Sequence, residues 1–177
     1  PVVRRLERGA AGEIAETPKP GDPVFARCHW VLVGRGGDAC AAAARRARRL
    51  GYRTAVITSR LEGDTGEAAR FHMSIAEEIA RERRPLGRPA CVISGGETTV
   101  RVTGRGKGGR NQEFVLCSVG ALARMPAPAL VASLGTDGSD GPTDAAGAVA
   151  DNDTLSRSRR LGADLAAALR DNDSHTF

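Results

Sequence analysis

Three polar stretches in this sequence follow apolar runs, and their residue types limit the chemistry each could perform. In open α/β sheets, ligands gather beyond the carboxyl ends of the strands. The first stretch is residues 34–37, GRGG. It forms half of a dinucleotide fingerprint, but Ala39 stands where the third glycine would be. It reads either as a nucleotide turn or as a tight strand-to-helix turn needing positive φ. The second stretch joins residues 94–97, SGGE, to residues 104–113, GRGKGGRNQE. Glycines let backbone N–H groups approach a ligand, a helix amino terminus adds a positive dipole end, and Arg105, Lys107 and Arg110 add full charge. That combination suits a phosphate or carboxylate, although Walker A spacing is absent; the alternative is a basic hairpin tip. The third stretch, residues 135–144, GTDGSDGPTD, places Asp137, Asp140 and Asp144 close together. Carboxylates so placed can hold magnesium or orient a hydroxyl, or they can cap the backbone of their own turn. A calcium loop is excluded, because Ala148 occupies the position of its closing glutamate.

These stretches need elements to hold them. Residues 2–14 read as a short helix, and residues 17–23, TPKPGDP, as an extended connector. Residues 29–33 (HWVLV), 54–58 and 90–93 read as buried strands, separated by helices over residues 38–50 and 66–84. Asp38 is the expected cap of the first of these helices. A strand follows over residues 98–102, a helix over 111–124, a strand over 129–133, and short helices over 155–161 and 164–169. The rhythm predicts an α/β fold with a mixed, largely parallel sheet and flanking helices in three layers. Residues 1–28 read as a helix and connector, and residues 29–177 as the α/β domain.

Composition narrows the classes further. The chain has 177 residues, a net charge of +5 and 41% hydrophobic residues. All but two of its 26 basic residues are arginines, and several are clumped on two predicted helices. Solvated helix faces explain the clumps better than nucleic-acid binding does, since 3% aromatic content leaves few stacking platforms. No membrane span or signal peptide is visible. Cys28, Cys40, Cys91 and Cys117 show no CxxC spacing and read as free thiols of a reducing cytoplasm. The chain opens on Pro1 and reads as part of something longer.

The order SGGETTVRVTGRGKGGRNQE, GTDGSDGPTDAAGAV and DNDSHTF resembles the carboxyl-terminal MOFRL domain of the class II glycerate kinases. The signature covers residues 89–177, and the upstream ETPKPGDPVF and SRLEGD are also similar to the stretch before that domain. The resemblance implies transfer of the ATP γ-phosphoryl to the 2-hydroxyl of glycerate, giving 2-phosphoglycerate, with Mg2+. It further implies a missing amino-terminal Rossmann-like domain, an active site in the cleft between the two, and inactivity of the fragment alone. Arg110, Asp137 and Asp140 become the catalytic candidates, with Asp137 and Asp140 also candidate metal ligands. Gly95, Gly96, Glu97, Lys107, Gly108, Gly109, Asn111, Glu113, Asp144 and Asn172 become candidate substrate or phosphate contacts. Arg35 and Gly36 depart from a Ser-Asn pair of the relatives, which weakens the case for a polar substrate contact there. A nicotinamide-dependent hydroxypyruvate reductase, a label many relatives carry, is the competing reading. The broken fingerprint and the lack of an acidic residue closing the second strand count against it. A non-catalytic binding or assembly domain is the third reading. No nucleic-acid or membrane partner is expected, and the oligomeric state is open.

Overall fold

Strand backbones need neighbours to satisfy their N–H and C=O groups, and four segments of this chain find them in two pairs. The computed structural model describes residues 1–177. Its elements are α1 (Val2–Ala10), α2 (Gly36–Arg49), β1 (Arg53–Leu61), α3 (Thr65–Glu82), β2 (Ala90–Gly96), α4 (Arg110–Leu122), β3 (Leu130–Leu134), β4 (Gly147–Asp151), α5 (Thr154–Arg160) and α6 (Leu165–Asp171). They fall into two units, Pro1–Val33 and Gly34–Phe177. No helix is long and apolar enough to cross a membrane.

In the first unit, α1 buries no residue. A short turn, Pro23–Phe25, follows the Pro-rich connector, with Asp22 accepting from the Val24 N–H. The expected strand at 29–33 is not formed: the segment is irregular, and Trp30 is 86% and Val33 97% exposed. An apolar run becomes a strand only where a ladder accepts it, and none pairs with this one.

In the second unit, β1 and β2 pair in parallel, from Arg53 opposite Ala90 to Leu61 opposite Gly96. Helix α2 packs on both strands, burying Cys40, Ala44 and Ala47. Asp38 lies inside α2 rather than capping it, and its carboxylate accepts the Arg35 N–H at 2.9 Å. Asp64 caps α3 instead, accepting from the Glu67 N–H. The expected strand at 98–102 reduces to a single bridge between Asp64 and Thr99. The backbone of Thr99 is spent there on Gly63 and Thr65, so no ladder propagates.

Strands β3 and β4 pair antiparallel. β4 was not expected from sequence, because GAVAD offers too few large apolar residues to stand out. Helix α4 packs on α3, β3 and β4. The core forms there from Met73, Val115, Val119, Leu122 and Ala150, with Leu155, Leu165 and Phe177 against it. Asn152 closes the far end of α4: its amide donates to the carbonyls of Leu122 and Ala127 and accepts the Ala129 N–H. The fold is therefore mixed α/β, with a parallel pair, an antiparallel pair and flanking helices.

Candidate active site

The first turn of α4 holds several of the candidate residues: Asp140, Asn172 and Glu97 all bond to it. Its free N–H groups and dipole would attract an anion, and the anion there is Asp140. One carboxylate oxygen accepts from the Asn111 N–H at 3.0 Å and from the Asn111 amide at 2.9 Å. The other accepts from the Gln112 N–H at 2.8 Å and the Gln112 amide at 3.0 Å. Asp140 is 2% exposed. Burial pushes its pKa up, but the backbone and side-chain N–H groups of Gln112 and Asn111 outweigh burial and hold it below the ordinary carboxylate range. With both oxygens so engaged, Asp140 is a clamp between α4 and the aspartate loop. It does not cap the backbone of its own turn.

The other two loop aspartates face outward. Asp137 is exposed and takes only a long 3.3 Å bond from the Ser139 N–H. Asp144 is exposed and stands 3.6 Å from His175 Nε2, whose ring is itself 3.2 Å from Gln112 Oε1. Asp137 and Asp144 each keep one carboxylate oxygen without a partner, whereas both oxygens of Asp140 are engaged.

The first part of the glycine-rich loop, residues 103–107, does not present its backbone as a cradle. The terminal segment takes up its donors: Asn172 Oδ1 accepts from Thr103 N–H at 2.8 Å and Gly104 N–H at 3.0 Å. Asp171 accepts from the Arg105 and Gly106 N–H groups, and Asp173 from that of Lys107. A side chain on Gly104 would collide with the Asp171 backbone, and one on Gly109 with the Asp140 carboxylate. These glycines admit neighbouring protein segments rather than a ligand. Asn172 adopts φ 54° and reaches across to donate to Glu113 Oε1 at 3.3 Å. Glu113 is buried, which pushes its carboxyl above the usual range; the Asn172 bond offsets only part of that. Beside it, burial pushes the Cys117 thiol up to about 11.

Arg110 points the other way. Its guanidinium is half-exposed and pairs with Glu97 at 3.0 Å. Arg110, Asn111, Gly95 and Gly96 line a cleft of about 1360 Å³ bounded by β2 and β3. Glu97 and Gly96 line a smaller pocket of about 580 Å³ beyond the end of β1. Asp137, Asp140, Asp144, Lys107, Gly108, Gly109, Glu113 and Asn172 line neither. The structure thus gathers the candidates into two groups: an outward one around Arg110 and Glu97, and an inward scaffold around Asp140 and Asn172. Sequence reasoning missed Gln112 and His175. Both sit inside the signature blocks, and each joins two of them through a single side chain.

Comparisons with known proteins concern the family and the fold. The MOFRL family profile matches residues 90–177. The chain is 40% identical to a glycerate 2-kinase of Pyrococcus horikoshii over 98% of its own length and 39% of that protein's. It is 36% identical to human glycerate kinase over 83% of its length and 36% of that protein's. The crystal structure of a Thermotoga maritima glycerate kinase superposes with a TM-score of 0.78 at 42% identity, over 82% of this chain and 35% of that one. The chain therefore spans well under half the length of these relatives. The three sequence blocks, the Asp140 contact to α4 and the terminal clamp lie within the matched region, and residues 90–177 of this chain belong to the MOFRL family.

Proposed function

We propose that this chain supplies the carboxyl-terminal part of a glycerate 2-kinase, transferring the γ-phosphoryl of ATP to the 2-hydroxyl of glycerate with Mg2+. The observation that carries the reading is Arg110. It is the one cation of the glycine-rich loop that lines the cleft, it stands at the first turn of α4, and Glu97 fixes its direction. Phosphoryl transfer is chiefly positioning and charge stabilisation, and a planar guanidinium suits both phosphate and carboxylate. When bound with nucleotide, magnesium would neutralise phosphate charge. The donor set fits it in one respect: Asp137 offers a free carboxylate oxygen, and magnesium is often held by one or two carboxylates plus phosphates. Asp140 does not fit as a metal ligand, since four N–H bonds engage its oxygens. Its role in this reading is to hold Arg110 and Asn111 in register with the aspartate loop. Asp144, Lys107 and Glu113 have no direct part in it, and the glycines and Asn172 shape the loop.

The test is a coupled assay on the full-length protein with ATP and glycerate, with NMR distinguishing 2- from 3-phosphoglycerate. Arg110→Ala is expected to lower kcat on the order of 10³-fold, and Arg45→Ala, on α2, to leave it unchanged. NADH oxidation with hydroxypyruvate and no phosphoglycerate would replace this reading with the reductase one.

A further inference from the structure

The cleft that Arg110 lines is also lined by Ser94, the first residue of the SGGE block, and by His72, which lies outside the signature region. Ser94 stands near the carboxyl end of β2, and His72 lies in the middle of α3. His72 Nδ1 is 2.7 Å from the Ala68 carbonyl oxygen, and its Nε2 is 2.7 Å from Ser94 Oγ. A carbonyl oxygen can only accept, so Nδ1 carries the ring proton in the neutral imidazole. Nε2 is then an acceptor, and the Ser94 hydroxyl must donate to it. Phe71 and Phe114 stand edge-on to the ring, with centroids 5.7 and 5.4 Å away, and fix its plane.

The consequence concerns what Ser94 has left. A serine hydroxyl has one proton and two lone pairs. With the proton directed at His72, Ser94 offers the cleft lone pairs alone. It would repel a carboxylate or phosphate and attract an O–H donor. Arg110, on the same cleft, has the opposite character: it is donor-only and cationic. A ligand in this cleft therefore meets an acceptor at Ser94 and a cationic donor at Arg110.

We propose that Ser94 is a hydroxyl-recognition residue that accepts a hydrogen bond from the 2-hydroxyl of a bound hydroxy acid, with His72 as the positioning residue that fixes its proton. This rests on the glycerate reading above and names the contact that reading lacks.

The experiment uses the full-length protein and calorimetric titration with glycerate and with 3-hydroxypropionate, which lacks the 2-hydroxyl. Wild type is expected to prefer glycerate about 10-fold, the value of one neutral hydrogen bond. In Ser94→Ala the preference collapses to within about 2-fold, and Ser94→Thr, which keeps the hydroxyl, restores it. His72→Phe, which cannot accept the serine proton, also lowers the preference while glycerate binding is retained. The assignment is overturned if wild type binds the two acids equally or binds neither. It is equally overturned if Ser94→Ala keeps the preference. A parallel phosphoryl-transfer assay on wild type separates the two ideas: binding preference without transfer sinks the kinase reading and leaves Ser94 standing. Selective 15N labelling of histidine checks the premise in the same protein, and an Nε2-protonated His72 at neutral pH would overturn it.

Discussion

Two buried carboxylates on either side of the first turn of α4 behave in opposite ways. Asp140 is held charged by N–H donors, and Glu113 is pushed toward its neutral form by burial. A carboxyl whose folded pKa is depressed adds stability above its unfolded value, and that stability is lost as pH falls through the folded pKa. A carboxyl whose folded pKa is raised does the reverse: its contribution is complete below the unfolded value and is lost as pH rises through the folded one. Asp140 therefore steepens acid unfolding below about pH 4, the ordinary carboxylate range, while Glu113 costs stability above it. We predict that Asp140→Asn flattens the acid limb of the stability profile and that Asp140→Ala destabilises by about 2–4 kcal/mol, since it strands buried donors and removes a cap. Glu113→Gln should narrow the loss of stability between acid and neutral pH. Chemical denaturation midpoints across pH 3–8 check all three, and a profile unchanged by Asp140→Asn would remove the clamp from the account.

At the scale of elements, the terminal segment after α6 acts as a splint for the glycine-rich loop. Five consecutive N–H groups, from Thr103 to Lys107, donate to residues 171–173. Backbone groups satisfied in this way exchange slowly, because exchange requires the contact to open. Asn172→Ala is expected to destabilise by about 1–3 kcal/mol through the buried N–H groups it leaves unpaired. It should also speed hydrogen exchange at residues 103–107 selectively, leaving β1 and β2 protected. Uniform acceleration along the chain would show that the splint is not local. Gly104→Ala should act in the same direction, because its new methyl would meet the Asp171 backbone. At this scale the sequence was legible for α2, α3, α4 and β1 to β3, whose apolar periods and caps are local signals. It misread 29–33 and 98–102, where apolar or alternating residues lacked a ladder to join.

For the molecule as a whole, the matched relatives are more than twice as long as this chain. Phosphoryl transfer demands that donor and acceptor be held together, and the outward charged groups among the site candidates are Arg110, Glu97, Lys107, Asp137 and Asp144. We predict that the 177-residue chain alone forms no phosphoglycerate from ATP and glycerate. Robust turnover by the purified chain, followed by 31P NMR, would show that these groups suffice. What the sequence determined by itself was the helices, three of the four strands and the three signature blocks, since turns and apolar spacing act within a few residues of one another. It also placed Arg110 at a helix start, where the structure finds it half-exposed and paired with Glu97. Only the tertiary structure decided which way the remaining polar groups face. Asp140 meets Asn111 across 29 residues, Asn172 meets Thr103 across 69, and Ser94 meets His72 across 22. Residue spacing carries no information about such partners, because a carboxylate in a glycine-rich loop can turn toward solvent or toward a helix terminus at equal distance along the chain. The unsatisfied N–H groups of α4 and of the glycine loop settle that choice, since a buried donor without an acceptor is costly and the nearest acceptors are those of distant segments.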